Sequence, residues 1–213
     1  MLAYTVTGDK YKYLQQTAGV HLGSDTVKAM LMRQGFVFDS GKHRELKNIQ
    51  TNTGAIALTW AATDRSVSRG SGSFITDGFV FENLCTSDDT NNPGPLTIAT
   101  VTALKITFVE TVVNSSDTKT LTSNDELAGG HGYTAGGQAI TLTVAEDNVN
   151  HRSDATAPTT TWNASGGSIG PSDAEIIYNS TADCVIQCTQ YGESKTATTG
   201  NPFNLYGLVI RNA

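Results

Sequence analysis

One run of residues in this sequence could bind a cation or a partner. It is the acidic run at 87–92, Ser-Asp-Asp-Thr-Asn-Asn. Carboxylate and amide oxygens at close spacing are ligands that Ca²⁺ takes in proteins, but this run lacks the alternate spacing that ends in a glutamate. Two interpretations therefore stand: a plain solvated turn, or a polar tip that contacts a partner, since loops on rigid scaffolds often carry binding. The candidate contact residues are Asp88, Asp89, Asn91 and Asn92.

No other group of residues predicts catalysis or metal binding. The four histidines, at positions 21, 43, 131 and 151, lie outside metal-ligand spacing of one another, and His131 is expected to be a hydrogen-bonded loop residue. The sequence contains no nucleophile elbow, phosphate-binding loop or zinc-protease motif. Paired carboxylates for glycoside hydrolysis need only meet in space, and exposed acids on a solvated surface are the simpler interpretation. We expect no enzymatic activity, no cofactor and no metal.

The three cysteines do not form a disulfide framework, because their number is odd. Cys184 and Cys188 share a face of a predicted strand, where four residues span about 13 Å. That separation is too large for a disulfide or a shared metal. We therefore predict buried free thiols, as suits a protein made in a reducing cytoplasm.

The amino-acid composition limits the classes of protein to which this chain can belong. A chain of 213 residues with 38% hydrophobic side chains can bury a core, and 21 glycines with only 16% charged residues are typical of a β-rich chain with many turns. A net charge of −6 argues against a nucleic-acid partner, because binding phosphates requires clustered Lys and Arg. The sequence has no run of about 18 apolar residues, so no membrane span is predicted, and its N-terminus lacks a secretory pattern.

The stretch at 129–144 must position much of the rest of the chain. Its first half is glycine-rich and predicts a tight loop, because glycine tolerates positive φ. We interpret this loop as a structural corner formed by Gly132, Tyr133, Gly136 and Gly137. In the second half, Ile140, Leu142 and Val144 alternate with smaller residues, which predicts one half-buried strand.

Periodicity over the whole chain predicts an all-β fold with a short N-terminal helix at 9–18. Alternating runs predict strands at 26–32, 55–60, 96–101, 104–109, 159–162, 174–178, 184–188 and 203–210. The runs at 96–101 and 104–109 read as a hairpin, whereas 147–158 and 196–202 are predicted to be loops. About ten strands predict a β-sandwich or jelly-roll-like core.

The C-terminal strand also predicts association. Phe203, Leu205 and Ile210 are expected to leave apolar edge strands exposed, and closed symmetric association is the usual way in which identical subunits cover such edges. We therefore predict a homo-oligomer.

The corner motif carries a resemblance. Gly-Tyr-Thr-Ala-Gly-Gly at 132–137, followed by an alternating strand, resembles a family of small tailed-bacteriophage virion proteins. Two further signatures are the extended segment at 21–31 after the helix, and Thr161-Trp162 followed by 174–178. Together they cover roughly residues 1–50 and 120–213, and about seventy residues intervene where family members usually have few.

The intervening residues resemble a small all-β module that recurs in phage structural proteins. Its features are Gly-Ser-Phe-Ile-Thr-Asp-Gly-Phe at 72–79, an Asn-rich turn, and the hairpin at 97–102; Phe81-Glu82-Asn83 and two prolines depart from the usual pattern. The resemblance thus implies a β-sandwich or jelly-roll-like core at 1–50 plus 119–213 and an inserted small β-domain at 51–118.

The function that the resemblance implies is that of a virion structural protein. The favoured role is a capsid decoration (cement) protein that is made in the host cytoplasm, binds the major capsid protein or other virion proteins on the capsid exterior, and stabilises capsomers, as a trimer in particular. A tail, head–tail junction or fibre-associated structural protein is the alternative. A carbohydrate-binding module is the second alternative, although Trp60 and Trp162 lie in apolar strands rather than on an exposed platform.

Overall fold

The structure, a computed structural model, describes residues 25–147 and 152–212. The predicted helix at 9–18 lies outside the described residues. The chain divides into two compact units: unit 1 comprises Met1–Arg44 and Glu126–Ala213, and unit 2 comprises Glu45–Asp125. Both are built from antiparallel strands, so the fold is all-β.

The strands are numbered in chain order. They are β1 (Val27–Arg33), β2 (Gln50–Asn52), β3 (Ile56–Ala61), β4 (Ser66–Arg69), β5 (Leu84–Ser87), β6 (Leu96–Val101), β7 (Lys105–Phe108), β8 (Ser115–Lys119), β9 (Leu121–Asn124), β10 (Gln138–Ile140), β11 (Thr143–Asp147), β12 (Arg152–Thr156), β13 (Thr160–Asn163), β14 (Ile169–Asn179), β15 (Cys184–Ala197), β16 (Pro202–Leu205) and β17 (Val209–Asn212). One α-helical turn, α1 (Phe74–Asp77), and two 3-10 turns (Leu46–Asn48 and Ala62–Asp64) complete the described elements. None of the helices among the described residues is long and apolar enough to cross a membrane.

The described residues of unit 1 form three sheets. Their strand orders are β10-β1-β14-β15, β11-β12-β17 and β13-β16. The long strands β14 and β15 form a hairpin, and β14 is buried on both faces: Ala174, Ile176 and Tyr178 are buried, and so is Ile177 between them. A register shift beside Tyr178 breaks strict alternation along this pair, as a β-bulge does.

The core of unit 1 joins all three sheets. Its members include Val27, Leu31, Tyr133, Trp162, Ile177, Ile186, Phe203 and Ile210. Phe203 and Ile210 are therefore inside the unit, and the expectation that they lie on an exposed apolar edge is wrong. Each belongs to a strand that packs on its own unit, whereas Val144 and Val209 are the exposed apolar residues of the β11-β12-β17 sheet.

Two sequence-based predictions in unit 1 are corrected. The single strand predicted after the glycine corner is two strands, because β10 pairs with β1 whereas β11 pairs with β12 in a different sheet. The chain changes sheet at Thr141 and Leu142, which leaves Leu142 buried but Val144 48% exposed. The predicted loop at 147–158 contains β12, whose polar sequence hid a strand that is held by pairing with β11 and β17.

A third correction concerns 196–202, which was predicted to be a loop. Strand β15 continues to Ala197 and β16 begins at Pro202. Only the turn between them is irregular, and Gly200 donates its N–H to Ala164 there.

Unit 2 is one eight-stranded sheet with the order β2-β9-β5-β6-β7-β4-β3-β8. The predicted hairpin is confirmed, since β6 and β7 pair antiparallel. Trp60 stacks on Phe108 with ring centroids 5.7 Å apart in a core that includes Leu58, Phe74, Ile98, Ile106 and Leu121. The edge strands β2 and β8 are polar, which discourages further strand addition.

The range of unit 2 is wider than the predicted insertion at 51–118. Strands β2 and β9 pair with each other at one end of the sheet, through Gln50 to Asn52 and Thr122 to Asn124. Both segments contribute backbone hydrogen bonds to the unit, so its limits fall at Glu45 and Asp125.

The prediction for the cysteines is confirmed. Cys85, Cys184 and Cys188 are buried thiols that form no disulfide. Burial raises the pKa of the Cys188 thiol to about 12, which keeps it protonated.

Unit 2 should fold by itself, because every member of its core lies between Leu58 and Leu121. We expect residues 45–125, expressed alone, to give a β-rich circular dichroism spectrum and one cooperative thermal transition. Trp60 fluorescence reports this transition in the isolated unit, and in the full chain it does so in a Trp162→Phe background. An insoluble fragment, or a broad and non-cooperative melt, would contradict the independence of the unit.

Candidate functional site

The glycine corner of unit 1 is organised by a buried carboxylate that sequence reasoning did not single out. Glu126 follows β9 and forms an isolated bridge with Met32 of β1, and its side chain accepts a hydrogen bond from the Tyr133 hydroxyl at 2.6 Å. The N–H of Gly136 also donates to it at 2.7 Å and that of Gly137 at 3.2 Å. Three donors therefore surround a carboxylate in a residue that is only 5% exposed.

The two tyrosines of the corner extend this network to β1 and β14. The Tyr133 hydroxyl accepts the N–H of Leu31 at 3.0 Å while it donates to Glu126. The Tyr178 hydroxyl of β14 donates to the carbonyl of Gly136 at 2.7 Å. The Tyr133 ring lies 5.7 Å from the Trp162 ring, centroid to centroid, so the corner is fixed to the core on one side and to the β1 backbone on the other.

The structure brings together all four residues predicted for the corner, Gly132, Tyr133, Gly136 and Gly137. Each glycine has positive φ, as the sequence indicated. Two of them also lie against backbone: a Cβ on Gly132 would be 2.0 Å from the Asn163 oxygen, and a Cβ on Gly137 would be 2.4 Å from the Ala29 oxygen. A side chain at either position would push neighbouring strands apart.

Burial dominates the electrostatics of the corner. It raises the pKa of Glu126, although the hydrogen bonds from Tyr133, Gly136 and Gly137 and the nearby Lys28 ammonium act in the opposite direction. Burial and the neighbouring Glu126 raise the pKa of Tyr178 to about 12 and that of Tyr133 further still. Both tyrosines therefore remain hydrogen-bond donors.

The acidic turn of unit 2, at 87–92, is held by buried side chains, whereas its sequence predicts a solvated turn or a binding tip. Asp89 and Asn92 are buried. Asp89 accepts hydrogen bonds from the Asn91 N–H at 2.9 Å and from the Ser115 hydroxyl at 2.5 Å. Asn92 exchanges two hydrogen bonds with the backbone of Val113, at 2.7 and 3.0 Å.

Charge in this turn is stabilised from within the unit. Burial opposes ionisation of Asp89, but hydrogen bonds from Ser115, Asn91 and Asn92 outweigh it and lower the pKa of its carboxyl. Donor groups occupy the oxygens that a cation would need. Among residues 25–147 and 152–212, no three His, Cys, Asp or Glu side chains gather closely enough to hold a metal ion.

Of the four residues predicted to contact a partner, the structure leaves Asp88 and Asn91 exposed. Asp88 caps the β8–β9 connection by accepting the N–H of Thr120 at 2.8 Å. Val113, which the sequence did not point to, is 55% exposed, and its N–H donates to Asn92 of the same turn. We define the tip surface as Asp88, Asn91 and Val113.

The two histidines within the described residues, His43 and His131, take part in hydrogen bonds of the fold. His43 is buried, accepts the N–H of Asp39 at 3.0 Å, and packs on Phe36 with ring centroids 5.1 Å apart. His131 lies in the corner at φ +54, and its carbonyl accepts the N–H of Ser165 at 2.8 Å. The histidines at 21 and 151 lie outside the described residues.

The chain matches no family model, no curated protein and no solved structure.

Gly132 and Gly136 provide a matched pair for testing the close backbone approach in the corner. Both have positive φ, but only Gly132 has backbone within reach of an added Cβ. We expect Gly136→Ala to cost about 1 kcal/mol from φ strain alone, and Gly132→Ala to cost about 3 kcal/mol or more. Trp162 fluorescence during urea unfolding measures both in a Trp60→Phe background. Equal costs would contradict the role assigned to Gly132.

The Glu126 carboxyl should make the stability of unit 1 depend on pH. Its folded-state pKa is raised above the ordinary value of 4.5, so the stability it contributes is fully present below about pH 4.5 and is lost as pH rises through the folded pKa. Relative to Glu126→Gln, the free energy of unfolding of the native chain should therefore fall as pH rises from about 4 to about 8. Urea unfolding at each pH checks this. A difference that stays constant or grows with pH would refute it.

Proposed function

We propose that this chain is a structural protein of a tailed-bacteriophage virion, in the role of a capsid decoration protein on the outside of the head. The observation that carries the proposal is the construction of the corner. The Gly-Tyr-Thr-Ala-Gly-Gly segment, on which the resemblance rests, fixes the backbone path around Glu126. A motif that fixes the path of the backbone supports a structural role.

The tip surface is the proposed contact with the major capsid protein or another virion protein. It combines one carboxylate, one amide and one exposed valine, and polar groups around an apolar contact are typical of protein interfaces. Its backbone is held by the buried Asp89 and Asn92. Such preorganisation lowers the entropy lost on binding.

We further propose a homo-oligomer, with a trimer favoured by the resemblance to decoration proteins. The exposed apolar residues that support association are Val144 of β11 and Val209 of β17, one on each edge strand of their sheet. Light scattering at micromolar concentration should give a mass above the 22.5 kDa of one chain. A tail, head–tail or fibre-associated position is the alternative within the same class.

The location is tested on particles. We expect mass spectrometry of purified virions from the producing host to detect the chain, and cryo-electron microscopy to place its density on the capsid shell. Density on the tail would move the role to the alternative. Absence of the chain from the particles would reject a virion protein altogether.

The contact is tested with variants of the tip surface added back to particles that lack the chain. Asn91→Ala with Val113→Ala should reduce occupancy on the particle while leaving the thermal transition of unit 2 nearly unchanged, because both side chains are exposed. Asp89→Ala is the matched control: it removes a buried acceptor and should cost about 1–3 kcal/mol of unit 2 stability. Full occupancy of the double variant would reject this surface.

A further inference from the structure

Unit 1 has a groove, separate from the tip surface and from the corner, along β14, β15 and β16. Its volume is about 420 Å³, and its lining comes from residues 175, 189, 191, 195–197 and 202–206. Phe203, which is 6% exposed, forms the buried part, whereas Tyr206 is 78% exposed at the open side. We call this the Tyr206 groove. A groove of this size, with a few convergent polar groups, is a usual form of ligand site.

Polar groups in the Tyr206 groove are held in place by its neighbours. One Glu175 oxygen accepts the Tyr191 hydroxyl at 3.0 Å, and burial raises the pKa of Glu175 although Tyr191 and Thr189 hydrogen-bond to it. Asn204 accepts the Thr161 hydroxyl at 2.8 Å and donates to the Tyr206 hydroxyl at 3.3 Å. A carboxyl and an amide, each oriented by hydrogen bonds to neighbouring side chains, therefore line the same groove.

We propose that the Tyr206 groove binds a neutral saccharide. The exposed ring of Tyr206 offers an apolar face on which the C–H groups of a sugar ring can pack. The Glu175 carboxyl and the Asn204 amide supply acceptors and donors for sugar hydroxyls, and both are preorganised before binding.

Other ligand classes fit the groove less well. The ionisable side chains of its lining are Glu175, Lys195 and two tyrosines, and the Lys195 ammonium is paired with Glu193, so an anion has little to bind. A quaternary ammonium ion requires aromatic faces around it. The Phe203 ring instead packs against Tyr191 and Trp162, at centroid distances of 6.3 and 6.4 Å, so among the described residues of the lining Tyr206 is the aromatic residue presented openly.

Saturation-transfer NMR on the full chain tests this inference. The probes are cellobiose, maltose, lactose and N,N′-diacetylchitobiose at about 10 mM, well above a millimolar dissociation constant, with tetramethylammonium as the cationic alternative. We expect at least one saccharide to bind, and Tyr206→Ala to weaken its affinity by roughly tenfold with an unchanged thermal transition. Glu175→Gln should also weaken binding, because a carboxyl oxygen is replaced by an amide group.

The matched control is Phe81→Ala, which removes an exposed aromatic residue of unit 2 and should leave saccharide binding unchanged. Three outcomes would overturn the inference: no binding by any of the four disaccharides, saccharide binding that Tyr206→Ala does not affect, or a response in the groove to tetramethylammonium alone. None of these outcomes bears on the presence of the chain in virions, so the two proposals fail separately.

Discussion

The structure of unit 1 depends on burying the Glu126 carboxylate where three hydrogen-bond donors meet it. An ionised carboxylate without partners is costly in a protein interior, and the Tyr133 hydroxyl with the N–H groups of Gly136 and Gly137 offsets that cost. The same interaction fixes the path of the chain, because Tyr133 also receives the Leu31 N–H of β1. Residues far apart in sequence are thereby held in one network.

This network places the chain beside β1 before it changes sheets at Thr141 and Leu142. Gly137 lies against the backbone of Ala29, close enough that no side chain fits, and β10 then pairs with β1. Strand β11 leaves for a second sheet, and the unit 1 core fills the space between the sheets with residues such as Trp162 and Ile186. The hydrogen bonds around Glu126 thus set the backbone geometry of unit 1, while burial of apolar area supplies most of its stability.

A turn of unit 2 is also held by buried polar side chains that are hydrogen-bonded. Asp89 and Asn92 have the composition of a binding loop, yet both are buried and hydrogen-bonded to Asn91, Ser115 and Val113. They hold the turn in place through these hydrogen bonds, and Asp88 and Asn91 remain exposed. In this turn the buried polar residues therefore fix the backbone, and the exposed residues form the surface.

The sequence by itself determined the all-β class, the corner glycines, the free thiols and the β6–β7 hairpin, because each follows from local periodicity, local backbone freedom or simple spacing. It could not reveal Glu126 as the centre of the corner, since the donors to that carboxylate come from the glycine loop, which β1 holds in place through the Leu31 N–H bonded to Tyr133. Nor could it show β12, a polar strand that exists through pairing with β11 and β17. Burial of Asp89 and exposure of Tyr206 were likewise decided by the tertiary structure, because only long-range packing selects which polar and aromatic side chains meet water.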